Sequence, residues 1–329
     1  MTVILPTGLP AAHVLRLQGV PVVEHQTEPT GRAVGERAMT IALVNLMPDK
    51  IATETQFARL LASGPQPVRM ILTIPDGYRS FSASPGHMDR FYRPWSALPL
   101  ERLDGVIITG APVERLAFED VRYWPALTDI LDWLAVTRVP ALHVCWAAQA
   151  ALWHYHQVPK RPLKTKRFGV FPHVPWNLRA PLLTGVRLPM TMPVSRHTET
   201  LIEDLPGRLV RPLLVAPVAS IGLAVDTQHR ATYLLNHPEY DPDTLDREYQ
   251  RDRARNLGTA RPSGYYSGGD PSRPSRDSWS ANARTLYRNW LTEVMAADPR
   301  CSAIDALDWL VFAETTQTNR AAGDRERPH

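Results

Sequence analysis

Residues 141–155 (ALHVCWAAQAALWHY) constrain this chain more than any other stretch, because they change structural period without a break. Residues 141–145 are a short apolar run just after Pro140, the pattern of a buried strand. From Trp146 the composition turns helix-favouring and the spacing becomes helical to about Tyr155. Cys145 therefore stands where a strand turns sharply into a helix. Such a turn exposes a side chain at the carboxyl end of a sheet and aims helix N-terminal amides at it. The positive end of the helix dipole stabilises a thiolate there, and the same amides can receive the oxyanion of a tetrahedral intermediate. A lone cysteine in an apolar strand is more often inert core. What decides between these readings is what the chain brings to the same edge.

Upstream, residues 40–47 form a β-rich apolar run ending at Pro48, and Asp49 is placed to cap a helix over about 51–62. Residues 68–74 read as a second strand, and 75–94 as a long polar-aromatic loop of the kind that covers an active site. Residues 103–109 read as a third strand, followed by Gly110, where a glycine lets backbone approach a ligand. A helix over 127–136 leads into the Cys145 strand. Alternation of this kind predicts an α/β fold with a mostly parallel sheet and helices on both faces. Ligands then bind beyond the carboxyl ends of the strands, the edge that holds both Gly110 and Cys145.

Downstream, 159–193 reads as loop-rich and basic (Lys160, Arg161, Lys164, Lys166, Arg167), for which a solvated face is the plainer interpretation. Residues 213–216, 220–226 and 231–236 read as strands that end the sheet with antiparallel members. Helices are expected over about 243–257 and 281–295. The expected organisation is an N-terminal arm over 1–38, an α/β domain over 39–298 and a C-terminal extension over 299–329 with a mobile end.

The net charge of +4 comes from scattered arginines rather than a basic block, which argues against nucleic acid as a partner. No apolar run approaches the roughly 20 residues needed to span a bilayer, and the first residues do not resemble a signal peptide. The two cysteines, Cys145 and Cys301, are too far apart for metal-type spacing, so no metal is expected. A soluble chain in a reducing cytoplasm fits these features.

His237 and Glu239 complete the chemical argument. In an extended segment residues i and i+2 face the same side, and Pro238 between them stiffens the pair. A carboxylate beside an imidazole selects its tautomer and stabilises imidazolium, the orienting role in a nucleophile–base–acid triad.

These residues carry a family resemblance. The pattern C-x-x-x-Q at 145–149 followed far downstream by H-P-E at 237–239 resembles class I glutamine amidotransferases. Those carry glycines flanking the cysteine, where this chain has Val144, Trp146 and Ala147, a departure that argues against glutamine hydrolysis. A closer resemblance is to the homoserine O-acyltransferase family of methionine biosynthesis. It rests on NLMPDKIATETQFARLL (45–61), DGVIITGAP (104–112), YWP (123–125), VCWAAQAAL (144–152), HPEYD (237–241) and NW (289–290), and spans roughly residues 38–295.

That resemblance implies a flavodoxin-like, doubly wound fold of the class I glutamine amidotransferase type, usually dimeric, and a ping-pong acyl transfer from acyl-CoA with no bound cofactor. Carried over by position, Cys145 is the acyl-thioester nucleophile, His237 the proton acceptor and Glu239 its partner. Lys166, Ser195 and Arg251 match the family's substrate-contacting residues, and a carboxylate-bearing substrate suits the two cations. Lys50 matches a lysine near the site, while Trp146 and the Gly110 region would supply oxyanion-hole amides. In the family the second residue after G-A-P tends to be glycine in succinyl-CoA users and glutamate in acetyl-CoA users. Here it is Glu114, which would repel a distal succinyl carboxylate and favour acetyl-CoA. Residues 193–197 lack the family's usual histidine before the serine, so serine remains an alternative acceptor to homoserine, as succinyl-CoA does to acetyl-CoA. A glutamine-hydrolysing amidotransferase and a noncatalytic binding protein on the same fold are the rival classes.

Overall fold

A computed structural model describes residues 2–25, 38–80, 82–176, 179–218, 220–271, 273 and 277–296. In chain order they form β1 (Val3–Pro6), α1 (Pro10–Leu17), β2 (Val22–His25), β3 (Met39–Val44), α2 (Lys50–Leu61), β4 (Val68–Ile74), α3 (Pro85–Phe91), β5 (Arg93–Pro94), β6 (Gly105–Ile108), α4 (Trp124–Thr137), β7 (Ala141–Val144), α5 (Trp146–His156), β8 (Arg161–Pro175), β9 (Met190–Glu199), β10 (Val210–Ala216), β11 (Ser220–Asp226), β12 (Ala231–Leu234), α6 (Thr244–Ala254) and α7 (Ser280–Ala296).

The strands line up as β2-β1-β4-β3-β6-β7-β12-β11-β10-β8-β9, with β5 beside β4. Every neighbouring pair from β2 to β12 is parallel. The run from β11 to β9 is antiparallel. Strand β3 shows why both faces are covered. Ile41 and Leu43 pack on one side with Phe57 and Leu61 of α2 and Tyr287 and Trp290 of α7. Ala42 and Val44 pack on the other with Ile130 and Leu134 of α4 and with α5. Burying each large apolar side chain in this way contributes about 1.5–3 kcal/mol. Asp49 caps α2 by accepting from the Ala52 amide at 3.0 Å.

From β3 the chain steps outward to β4, then returns to the other side for β6, β7 and β12. The strand order thus reverses at the β3/β6 boundary, and the crevice beyond those carboxyl ends is where such sheets bind ligands. Gly110 leaves β6, Cys145 leaves β7 and His237 follows β12 on that edge. The Leu46 amide donates to Thr109 Oγ1 at 2.8 Å, tying the loops after β3 and β6 together.

Three stretches differ from their sequence reading. Residues 3–25, placed in an N-terminal arm, form β1, α1 and β2 at the sheet edge, with Val3, Leu5, Ala11, Ala12 and Leu15 buried. Four-residue strands carry too little alternation to be told from loop. Residues 26–37 and the C-terminal extension, with Cys301, lie outside the described residues. The basic stretch after Pro159 is not a loop but β8, paired with β9 at Arg161 and Pro162 and again from Arg167 to His173, across a register shift between them. Pro162, Pro172, Pro175 and Pro193 disguise both strands in sequence, yet a ribbon at the sheet margin tolerates proline because it needs fewer ladder donors. The loop over 75–94 contains α3, capped by Ser84.

Candidate active site

Cys145 occupies the N-cap of α5 with φ 52° and ψ −115°, a backbone conformation that a side-chain-bearing residue adopts only under constraint. The constraint is visible on both sides. Its amide donates to Leu234 O at 2.7 Å, continuing the β7–β12 pairing, and its carbonyl accepts from the Ala148 and Gln149 amides of α5. Trp146 is wholly buried against Phe118 and Tyr123, so the turn is wedged from behind. The Trp146 amide is the first of the helix and has no intrahelical acceptor, which leaves it available beside the thiol. Gly110 closes the opposite side: a Cβ there would stand 3.2 Å from Cys145 Cβ and 3.5 Å from His237 Cε1. A side chain at this position would crowd Cys145 and lie in contact with His237, so glycine lets β6's exit loop pass close to both without displacing them.

His237 is fixed by its amide, which donates to Pro193 O at 2.9 Å, and by its Nδ1, 2.6 Å from Glu239 Oε1. The Tyr240 ring stacks on the imidazole at 4.3 Å and 19°. The other face of the chemistry is Cys145, to which the His237 side chain is hydrogen-bonded. Burial by itself lowers the imidazole's pKa. The negative charges of Cys145 and Glu239, and hydrogen bonds to both, outweigh it and hold His237 well above its ordinary value. The arrangement therefore favours a protonated imidazole between a sulfur and a carboxylate.

A second cluster adjoins this one. Lys166 of β8, Ser195 of β9 and Arg251 of α6 converge on two carboxylates that the sequence reading missed, Glu248 and Asp252. Ser195 Oγ donates to Glu248 Oε2 at 2.6 Å, and Lys166 Nζ reaches Glu248 at 3.4 Å and Asp252 at 3.1 Å. Arg251 donates to Asp252 Oδ1 through Nε and NH2 at 3.0 and 2.7 Å. Tyr240 joins the clusters, since its hydroxyl donates to Glu248 Oε1 at 2.9 Å while its ring covers His237. The signal in the sequence was the i, i+4 spacing of Glu248 and Asp252 on one helix face.

Arg196 was also missed. It is 3% exposed, and as the neighbour of Ser195 on β9 it points to the opposite face of the ribbon. Burial pulls its pKa down to about 10, while the charge of Cys145 acts in the other direction, which places the guanidinium within reach of the sulfur's field.

Glu114 lies half-buried in the loop after β6, and its charge acts on Lys160 and on His197. His197 is two residues past Ser195 on the same face of β9, and Arg115 bonds its Nδ1 at 2.9 Å. The loop carrying Glu114 thus faces the ribbon that carries Ser195. Lys50 is 2% exposed at the carboxyl end of β3, where Nζ donates to Asn45 O at 2.6 Å and to Tyr78 OH at 3.2 Å. Burial brings its pKa down to about 7, partly opposed by Glu54. Cys145, His237, Glu239, Gly110 and Trp146 therefore form one group, Lys166, Ser195 and Arg251 a second, and Glu114 and Lys50 belong to flanking loops.

A model of the family described as homoserine O-succinyltransferase matches residues 2–300. A homoserine O-acetyltransferase of Synechococcus elongatus is 41% identical over 292 residues, covering 88% of this chain and 97% of that protein. One of Rhizorhabdus wittichii is 41% identical over 300 residues, covering 91% and 92%. Among solved structures, a glutamine amidotransferase from Thermotoga maritima superposes with a TM-score of 0.51 at 12% identity, over 80% of this chain and all of that one. At that identity the likeness speaks for the class I amidotransferase fold alone.

Proposed function

Because the chain belongs to the homoserine O-succinyltransferase family, we propose that it transfers an acyl group from acyl-CoA to the hydroxyl of homoserine, through a thioester on Cys145. The observation that carries this reading is the strained elbow at Cys145 facing His237, whose Nδ1 is held by Glu239 at 2.6 Å. Acetyl-CoA is the donor we favour, on the names of the relatives and on Glu114, whose carboxylate would repel the distal carboxylate of a succinyl group.

In the proposed cycle the Cys145 sulfur attacks the acyl-CoA thioester while His237 holds the proton. The developing oxyanion is received by the Trp146 amide and the backbone at Gly110. Collapse expels CoA, which takes the proton from His237. The amino acid then binds beside α6. Arg251 and Lys166 suit its carboxylate, and Glu248, already accepting from Ser195 and Tyr240, suits its ammonium. His237 removes the hydroxyl proton, the oxygen attacks the acyl-enzyme, and the O-acyl ester leaves with Cys145 restored. The enzyme works in this reading as a cytoplasmic homodimer in methionine biosynthesis. No helix among the described residues is long and apolar enough to cross a membrane.

The test is intact-protein mass after mixing with acetyl-CoA or succinyl-CoA, with ester product assayed in parallel on adding homoserine or serine. An acetyl adduct on Cys145, discharged by homoserine and lost in Cys145→Ala, is the expected result. Unimpaired turnover by Cys145→Ala would refute the mechanism, and a succinyl adduct alone would overturn the donor assignment.

A further inference from the structure

At the opposite edge of the sheet His156, Asp226 and His229 bring three metal-ligating groups together, with their ligand atoms all within 4.8 Å of one another. His156 ends α5, eleven residues beyond Cys145 and so about 16 Å along that helix from the thiol. Asp226 ends β11 and pairs with Ala231, the first residue of β12. We propose that these three side chains form a binding site for a zinc-class divalent cation, separate from the acyl-transfer chemistry.

The donor set decides the class of ion. Two imidazoles and one carboxylate suit zinc, cobalt or nickel, whereas calcium and magnesium prefer oxygen ligands. Three protein ligands leave a fourth tetrahedral position for water, and His229, at 13% side-chain exposure the most open of the three, marks the side from which water enters.

The ligands are also held in place. Asp226 Oδ1 accepts the amides of Gln228 and His229 at 2.8 and 3.1 Å, which turns Oδ2 toward the imidazoles. Oδ2 lies 2.7 Å from His156 Nε2 and 2.8 Å from His229 Nδ1, and accepts from Tyr233 OH at 3.1 Å. The His229 ring stacks flat on Tyr155 at 4.2 Å and 5°, and Tyr155 is itself anchored to Leu131 O. Fixing of rings and carboxylate by surrounding groups is what a preorganised metal site requires.

A second observation lies beneath the cluster. His143 is wholly buried and stacked on Tyr233, and both its ring nitrogens lack a hydrogen-bond partner among the described residues.

Bonds of about 2.0–2.1 Å in tetrahedral geometry set ligand atoms about 3.4 Å apart, so the two imidazole–carboxylate distances of 2.7 and 2.8 Å open by roughly 0.6 Å on binding. The proton that each imidazole shares with Oδ2 leaves to solvent or moves to the other ring nitrogen. The spacing 156, 226, 229 hides such a site from the sequence, because the first ligand arrives from a different helix.

The test is titration of the chelator-treated full chain with cobalt(II), read by the visible bands of tetrahedral cobalt, and with zinc, read by calorimetry. Both are repeated in Cys145→Ala, so that a metal taken by the thiol is recognised. One equivalent bound in both proteins, weakened in His229→Gln and in His156→Gln by more than the roughly 10–100-fold that losing an outer-shell partner costs, is the expected result. Retained acyl transfer in the His229→Gln protein shows that it still folds. No binding in Cys145→Ala, or binding unaffected by either histidine substitution, would overturn the proposal and leave the trio as a hydrogen-bonded network only.

Discussion

Replacing Lys50 by methionine tests whether an ammonium can be held in this interior at a substantial electrostatic cost. Its Nζ is enclosed by Asn45 O, the Tyr78 hydroxyl and the Tyr78 and Tyr92 rings, and burial brings its pKa from 10.5 to about 7. At about 1.36 kcal/mol for each tenfold change in proton affinity, that fall corresponds to about 5 kcal/mol of disfavoured charge. The sign follows from linkage. Between pH 7 and 10.5 the unfolded chain keeps the lysine proton and the folded chain releases it. Stability therefore rises with pH, at up to about 1.4 kcal/mol per pH unit. Between pH 7 and 9 the residue should add about 2 kcal/mol to the unfolding free energy. Urea unfolding at pH 7, 8 and 9, on wild type and Lys50→Met, isolates this contribution, because other titrating groups are common to both proteins. Loss of the bond to Asn45 O displaces the variant's curve without tilting it. Lys50 is the smallest of the influences on Glu54, so that carboxyl does not confuse the comparison. The expected result is a slope shallower by about 2 kcal/mol over the range in the variant. Equal slopes would refute the argument that Lys50 releases its proton near neutrality.

Gly110→Ala puts a Cβ 3.2 Å from Cys145 Cβ, so it should lower kcat/KM about tenfold or more while changing the unfolding free energy by only about 1 kcal/mol. Steady-state kinetics beside thermal unfolding separates the two, and a fully active variant would remove Gly110 from the site. Glu239→Gln withdraws one of the charges that raise His237. A raised imidazole contributes its stability fully below the unfolded value near 6.5 and loses it as pH rises through the folded one. The stability gap between wild type and Glu239→Gln should accordingly be larger at pH 6 than at pH 10, and denaturation showing a gap that widens with pH would contradict this. Gly169→Ala should be severely destabilised, by about 3 kcal/mol or more, because its φ of 146° disfavours a side chain and its Cβ would fall 2.2 Å from Ser263 O. A melting temperature close to wild type would show that β8 yields easily there.

The strand-to-helix turn at Cys145 was legible in sequence because its evidence is local. A strand period gives way to a helix period within residues 141–155, and that change alone places Cys145 at a sheet edge. His237 and Glu239 were legible for a similar reason, their i, i+2 spacing across Pro238. The central strands β3, β4, β6, β7 and β11 were legible as apolar runs, since strands buried on both faces need no alternation.

Other features depend on partners far away in the chain, and only the folded structure supplies them. β8 and β9 hold each other as a proline-bearing ribbon whose individual strands carry weak local preference. β1 and β2 are four residues each, and their place at the edge is decided by pairing with β4. Glu248 and Asp252 read as ordinary charges on an exposed helix until α6 docks against Ser195 and Lys166. His156, Asp226 and His229 meet because α5 runs back along the strand that ends in Cys145, bringing its last turn to the start of β12. Local spacing fixes which side chains share a face. Which faces meet is decided by burial of apolar surface across the whole sheet, a non-directional force that no short stretch of sequence records.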